Sequence, residues 1–225
     1  MATSNDLRER RPVPTMRGAL ARWYTRQRGS APQLALVRTQ AAQLTDGLPA
    51  GARVLEVALG PGYLAVELAR LGYQVAGLDL SQSFVDIATS HAKAAGVTID
   101  LRQGDAADLP FADATFDLVV CQAAFKNFTR PVAALDQMHR VLRPGGVAVI
   151  QDMRREAPGA AIEREVAAMG LGPVNAAMTR LALVALRRRA LSKTQFEHLA
   201  AASAFTSCTA TTAGIGIEVR LTRSP

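Results

Sequence analysis

The sequence predicts an α/β protein built on a doubly wound, mostly parallel sheet. Three observations carry this. Between residues 53 and 152, short apolar runs alternate with helix-length segments, the pattern of strands joined by crossover helices. A turn with two glycines, Leu59-Gly60-Pro61-Gly62, directly follows the first run. Carboxylates stand within or just beyond successive runs, at Glu56, Asp79 and Asp105, and ligands of open parallel sheets bind at the carboxyl ends of strands.

Residues 1–16 hold Pro, Arg and small polar residues without periodicity and read as a flexible tail. Residues 17–225 then read as a single domain, opening with helices over 17–50. Residues 17–28 form a short helix carrying Leu20, Trp23 and Tyr24; Leu34, Val37, Ala41, Leu44 and Leu48 recur at steps of three and four in a second. In the core, 53–152, strands fall at 54–58, 74–78, 97–101, 116–121 and 147–152. The intervening helices cover 63–71 and 83–95, with Gly96 suited to a left-handed closing residue. A third begins with Thr129 as cap and Pro131 in its first turn, and ends before a turn at Pro144-Gly145-Gly146. Residues 157–190 are helical in composition but broken by Gly159, Gly170, Gly172 and Pro173, which suits a lid inserted over the sheet edge. Ser192 with Gln195, or Thr194 with Glu197, offers a capping box for one more helix. Residues 205–222 close the chain as a hairpin about Ala213 and Gly214.

At 225 residues the chain can bury a core unaided, and 49% hydrophobic against 20% charged residues excludes wholesale disorder. Apolar runs fall short of the roughly 18 residues of a membrane span, and the Arg-rich start lacks a secretory signal, so a cytoplasmic location is expected. Cys121 and Cys208 make no disulfide framework, and no Cys/His spacing suggests zinc, so no metal is expected. The net charge of +7 divides unevenly. Residues 1–28 carry seven basic against two acidic side chains, 29–179 twelve against fifteen, and 180–225 seven against two. Basic ends around an acidic centre favour a solvated surface over a nucleic-acid footprint.

The first turn narrows the chemistry. A dinucleotide fingerprint wants glycine at 58, 60 and 63, but Ala58 and Tyr63 occupy two of these, and no phosphate-binding loop ending in Gly-Lys-Ser/Thr occurs. Glu56 beside the glycines repels phosphate and suits a cationic ligand. Asp79, nineteen residues after Gly60, can accept from both ribose hydroxyls. Three acids at neighbouring strand ends describe a site for a cationic nucleoside.

These residues resemble the class I S-adenosylmethionine-dependent methyltransferases, especially the small-molecule branch that includes the ubiquinone/menaquinone biosynthesis methyltransferases. Residues 54–62 (Val-Leu-Glu-Val-Ala-Leu-Gly-Pro-Gly) resemble that family's acidic glycine motif, 77–81 its ribose motif and 104–111 its adenine motif; 116–120 and 141–146 resemble its fourth and fifth strand signatures. The resemblance implies a Rossmann-like, seven-stranded sheet with a C-terminal antiparallel hairpin. It implies S-adenosylmethionine as cofactor and S-adenosylhomocysteine as product, with Glu56, Gly60 and Gly62 at the methionine moiety, Asp79 at the ribose, and Asp105 at the adenine amino group. Leu80 and Ala106 would sandwich the adenine, and Gln122 at the fourth strand end joins the cofactor set. Ala58 departs from the glycine usual there and adds a methyl group to the pocket.

The expected acceptor is a small organic molecule, the methylated atom (O, N, S or C) being open. Alignment and exclusion of water can supply roughly 7 to 11 kcal/mol, so no fixed catalytic residue is required. Lys126 and Asn127 are candidates should the nucleophile need deprotonation. Trp23, Tyr24, Phe125, Met169 and Met178 are candidate lid residues. Competing readings are an RNA methyltransferase using the Arg-rich termini and a non-catalytic binding module. The protomer is expected alone or as a homodimer.

Overall fold

The computed structural model describes residues 9–225. Seven strands form one sheet in the order β3-β2-β1-β4-β5-β7-β6. The parallel strands are β1 (Arg53–Val57), β2 (Gln74–Asp79), β3 (Asp100–Gln103), β4 (Phe116–Gln122) and β5 (Leu142–Met153). β6 (Thr209–Ala213) and β7 (Gly216–Thr222) form the closing hairpin, and β7 runs antiparallel along β5. The chain reverses direction in strand order between β1 and β4, which opens a crevice at their carboxyl ends.

Helices cover both faces. On one, α2 (Ala31–Leu44) and α3 (Tyr63–Arg70) bury Val37, Ala41, Leu64 and Leu68 against Val54, Val75, Leu118 and Val149. On the other, α5 (Pro131–Val141) and α8 (Lys193–Ala201) pack Leu135, Met138, Phe196 and Leu199 against Leu55, Val119 and Ile150. These central strands are buried on both faces, so they read as continuous apolar runs rather than alternating ones. α1 (Gly18–Arg28) lies near α4 (Gln82–Ala95), with Tyr24 edge-on to Phe84. α6 (Gly159–Ala168) and α7 (Pro173–Arg189) pack together beyond β5, separated by the break at Gly170 to Gly172.

Several local expectations shift. The third strand begins at Asp100 rather than 97, because the Val97 N–H closes α4 by donating to Ala92 O at 3.1 Å beyond left-handed Gly96. Thr129 does not cap α5. Arg130 takes the cap position without a side-chain bond, and Thr129 O accepts instead from Arg10 N at 2.7 Å. The Pro144-Gly145-Gly146 turn sits inside β5 as a bulge between the pairs Phe116–Leu142 and Leu118–Val147. At α8 the capping box is Ser192 with Gln195. Of the tail expected over 1–16, residues 1–8 lie outside the described residues. The remainder is bonded across the sheet's carboxyl edge: Arg10 donates to Lys126 O (2.7 Å) and Arg189 O (2.6 Å), and Ser81 Oγ donates to Met16 O (2.5 Å).

Candidate functional site

Glu56 lies in β1, an interior strand of the sheet, paired in register with Gly77 on β2 and Val120 on β4. Neighbours on both sides bury it, and its Oε2 has no hydrogen-bond partner among the described residues. Burial pushes its carboxyl up to about 8; the Ala65 N–H opposes that shift and the Asp79 charge adds to it. A buried acid with one oxygen left unpartnered carries a free-energy cost that a cationic ligand group would reduce.

The turn after β1 places backbone where a side chain would interfere. Gly60 has φ +55°, and a Cβ there would project into open space. Gly62 has φ +75° for another reason: a Cβ would come within 2.7 Å of Ala88 Cβ, so this glycine lets α3 pack on α4. Ala58 also adopts the left-handed region, at φ +58°, a conformation costing a residue with a Cβ roughly 1–2 kcal/mol. Ala123, at the end of neighbouring β4, repeats this at φ +55°. Two alanines in the left-handed region thus stand at adjacent strand ends beside the crevice.

Asp79 ends β2 and holds the turn itself. Its Oδ2 accepts from Gly60 N at 2.9 Å and its Oδ1 from Ser81 N at 2.8 Å. Burial raises its pKa, while those two N–H groups pull it down. Asp105 is half-exposed; it accepts from Ala107 N (2.9 Å) and pairs with Arg130 (3.0 Å). A cavity of about 220 Å³ opens here, floored by Ala58, Leu78 and Ala106, walled by Leu80, Asp105 and Asn127, and roofed by Pro12, Val13 and Thr15. A larger cavity of about 600 Å³ lies at the opposite end of the strands beside Arg53, Gln74 and Asp100. The sheet-end rule assigns ligand chemistry to the former.

Of the residues expected at the cofactor, Ala58, Leu80, Asp105 and Ala106 thus line one cavity, whereas Glu56, Gly60, Gly62 and Asp79 form the turn beside it. Gln122 faces β5, donating from Nε2 to Gln151 Oε1 at 2.7 Å, and Gln151 passes the chain on to Glu218 Oε2 at 2.7 Å. Lys126 is buried. Its Nζ donates to Asp152 Oδ1 at 2.8 Å and to Ala123 O, and its own N–H donates to Asp152 Oδ2 at 2.9 Å. These contacts tie the ends of β4 and β5 together as a strut, and Asn127 follows Lys126 into the cavity wall.

The five expected lid residues do not line the cavity. Phe125 is core, fully buried with ring centroids 5.1 Å from Phe128 and 5.5 Å from Phe196. Trp23, Met169 and Met178 are exposed, and Tyr24 rests on Phe84. The residues missed are those that roof the pocket and Asp152, whose place at the end of β5, next to β4, was the available signal.

The fold is Rossmann-like, and the crevice at its switch point holds a buried carboxylate with an unpartnered oxygen beside an open glycine turn. Residues 55–150 match the family described as "Methyltransferase domain". Over 109 residues the chain is 40% identical to demethylmenaquinone methyltransferase of Deinococcus radiodurans, covering 48% of this chain and 45% of the relative. Over 108 residues it is 37% identical to ubiquinone biosynthesis O-methyltransferase of Xanthomonas axonopodis pv. citri, covering 48% and 45%. The chain spans about half the length of these curated relatives. An S-adenosylmethionine-dependent methyltransferase of Aquifex aeolicus superposes with TM-score 0.67 at 16% identity over 89% of this chain and 97% of that one, a likeness of fold.

Proposed function

We propose that the protein transfers a methyl group from S-adenosylmethionine to a small organic acceptor. The observation that carries this is Glu56, buried with an unpartnered Oε2 beside the open backbone of Gly60. The residues fit the cofactor: an orphan carboxylate for its cationic amino acid end, a turn with room for a ligand atom, and an apolar slot between Leu80 and Ala106 for a base. When bound, S-adenosylmethionine supplies an electrophilic methyl group on a sulfonium.

The chain's own contribution is alignment and exclusion of water. Asp79 fixes the Gly60 backbone and would accept from the ribose hydroxyls, and Asp105 would serve the adenine edge. The Lys126–Asp152 strut sets the height of the loop carrying Asn127, and residues 12–15 keep solvent from the pocket. The names of the relatives support a quinone-type ring as acceptor. Calorimetry with S-adenosylmethionine and S-adenosylhomocysteine, followed by a screen of hydroquinones, phenols, amines and thiols for S-adenosylhomocysteine release, tests the reading. Absence of cofactor binding would overturn it, and release only with RNA would replace the acceptor class.

A further inference from the structure

α7 ends at Arg189 with Ala190 in the cap position, so no glycine turn serves its last carbonyls. Arginines from elsewhere in the chain serve them. Arg10 Nη2 donates to Arg189 O at 2.6 Å, while Arg155 donates from Nη2 to Arg188 O at 3.3 Å and from Nε to Ala190 O at 3.0 Å. The Arg189 side chain turns back on the incoming segment, with Nη2 donating to Arg11 O at 3.0 Å. Three guanidinium groups thereby gather about one turn of backbone.

Carbonyls satisfy hydrogen bonds but do not balance charge. None of Arg10, Arg155 and Arg189 has a carboxylate within 4.0 Å among the described residues. Asp152 is already engaged, accepting from Lys126 Nζ, Lys126 N and Met153 N. The imbalance shows at Arg10: partial burial holds its pKa below the ordinary arginine value, the charges of Arg189 and Arg155 push the same way, and Asp152 opposes them. One donor is also left over. Arg189 Nε is buried and has no hydrogen-bond partner among the described residues.

The cluster borders the pocket. Arg10 Nη1 donates to Lys126 O and Arg10 N to Thr129 O, both at 2.7 Å, and two residues on, Pro12 and Val13 form the roof. The acids read for the nucleoside lie at β2 and just beyond β3, whereas Lys126 follows β4 and Arg155 follows β5. The arginines therefore stand beside the other side of the crevice, past Glu56 on β1.

We propose that Arg10, Arg155 and Arg189 bind an oxyanion, a carboxylate or a phosphate ester, carried by the methyl acceptor. Guanidinium groups suit either oxyanion, each offering several N–H donors in a fixed plane. An oxyanion would supply the missing counter-charge and give Arg189 Nε an acceptor, and its place beside the ends of β4 and β5 leaves the nucleoside slot free. The proposal rests on the methyl-transfer reading and narrows it from any small acceptor to an anionic one.

The test is calorimetry on the full chain saturated with S-adenosylhomocysteine and titrated with benzoate, phenyl phosphate and neutral benzamide. At least one anion should bind, at least about tenfold more tightly than benzamide and more weakly as salt is added; benzoate alone identifies a carboxylate, phenyl phosphate alone a phosphate ester. Arg155→Gln keeps an amide beside the α7 carbonyls but loses the charge, and Arg189→Gln does the same at the helix end. Each should weaken anion binding at least about tenfold while leaving S-adenosylhomocysteine affinity within about twofold of the parent's. In an acceptor screen, acids should release S-adenosylhomocysteine faster than their matching amides. Binding of neither anion, binding no tighter than that of benzamide, or binding untouched by both variants overturns the proposal. So does a screen led by the neutral acceptors, and so does an equal loss of cofactor affinity in the variants, which would assign the arginines to the cofactor's own carboxylate. A parent that binds no S-adenosylhomocysteine refutes the methyltransferase reading instead, and that titration comes first.

Discussion

Replacing Glu56 by Gln separates the cost of its carboxylate from its use. Burial holds this acid near 8 against an ordinary value of 4.5, so the folded protein takes up a proton that the unfolded chain releases between those limits. The sign follows. The folded state binds more protons than the unfolded one in this window, so stability is greatest below about pH 4.5 and is lost as pH rises through 8. A difference of 3.5 units corresponds to an upper bound of about 5 kcal/mol at high pH. Glu56→Gln has nothing to ionise, so the cofactor-free variant should melt above the parent at pH 8.5 and close to it at pH 5. Binding should show the reverse. About nine-tenths of the parent's Glu56 is protonated at pH 7, so holding an ammonium group against the carboxylate releases close to one proton per cofactor and costs about 1.4 kcal/mol relative to an already ionised site. Calorimetry in buffers of different ionisation enthalpy reads that proton. The variant should bind S-adenosylmethionine more weakly and release none. A variant less stable than the parent at pH 8.5, or one binding with unchanged affinity and proton release, would refute the reasoning.

Asp79→Ala should weaken cofactor affinity at least tenfold, about 1.4 kcal/mol; it should also lower the melting temperature, since Gly60 N and Ser81 N lose their acceptor. Unchanged affinity in a folded variant would contradict the assignment. Ala58→Gly should raise stability by about 1 kcal/mol in urea titration by relieving the left-handed alanine, and a loss would show that the methyl group packs usefully. Lys126→Met should cost roughly 3–5 kcal/mol by stranding Asp152, and adding Asp152→Leu should recover much of it; a double-mutant cycle with no coupling would deny the strut. Arg10→Ala should speed cofactor association and dissociation in stopped-flow by loosening the roof, and rates equal to the parent's would show that residues 12–15 do not gate the pocket.

What the sequence displays best is what is local in the chain. β1, α3 and β2 follow from apolar runs and a glycine turn within 27 residues, and the positions of Ala58, Leu80, Asp105 and Ala106 around one pocket follow from the parallel order of three strands. The orientation of each acid is not local. The sequence points to Asp79 as a ribose acceptor and to Gly62 at the methionine moiety, yet Asp79 also holds the turn, and Gly62 is fixed by Ala88, a contact made only once α4 lies beside α3. Phe125, a candidate lid residue by sequence, is core because it packs on Phe196, 71 residues away; burial is decided by that pairing, not by neighbours in sequence.

The same reasoning explains why the ends of the chain misled most. A segment rich in Pro and Arg cannot bury enough apolar surface to fold alone, which is why residues 1–16 read as a tail. What orders residues 9–16 is polar and long-range: carbonyls left over at the end of α7 and at the loop after β4 need donors, and the Arg10 guanidinium, 116 residues from one and 179 from the other, supplies both. An arginine pinned by backbone oxygens leaves no apolar period to detect. It does leave a rule for reading similar chains: where a helix ends in buried carbonyls and no glycine or capping side chain follows, as at Ala190 after α7, an unassigned arginine elsewhere in the chain is the donor to seek.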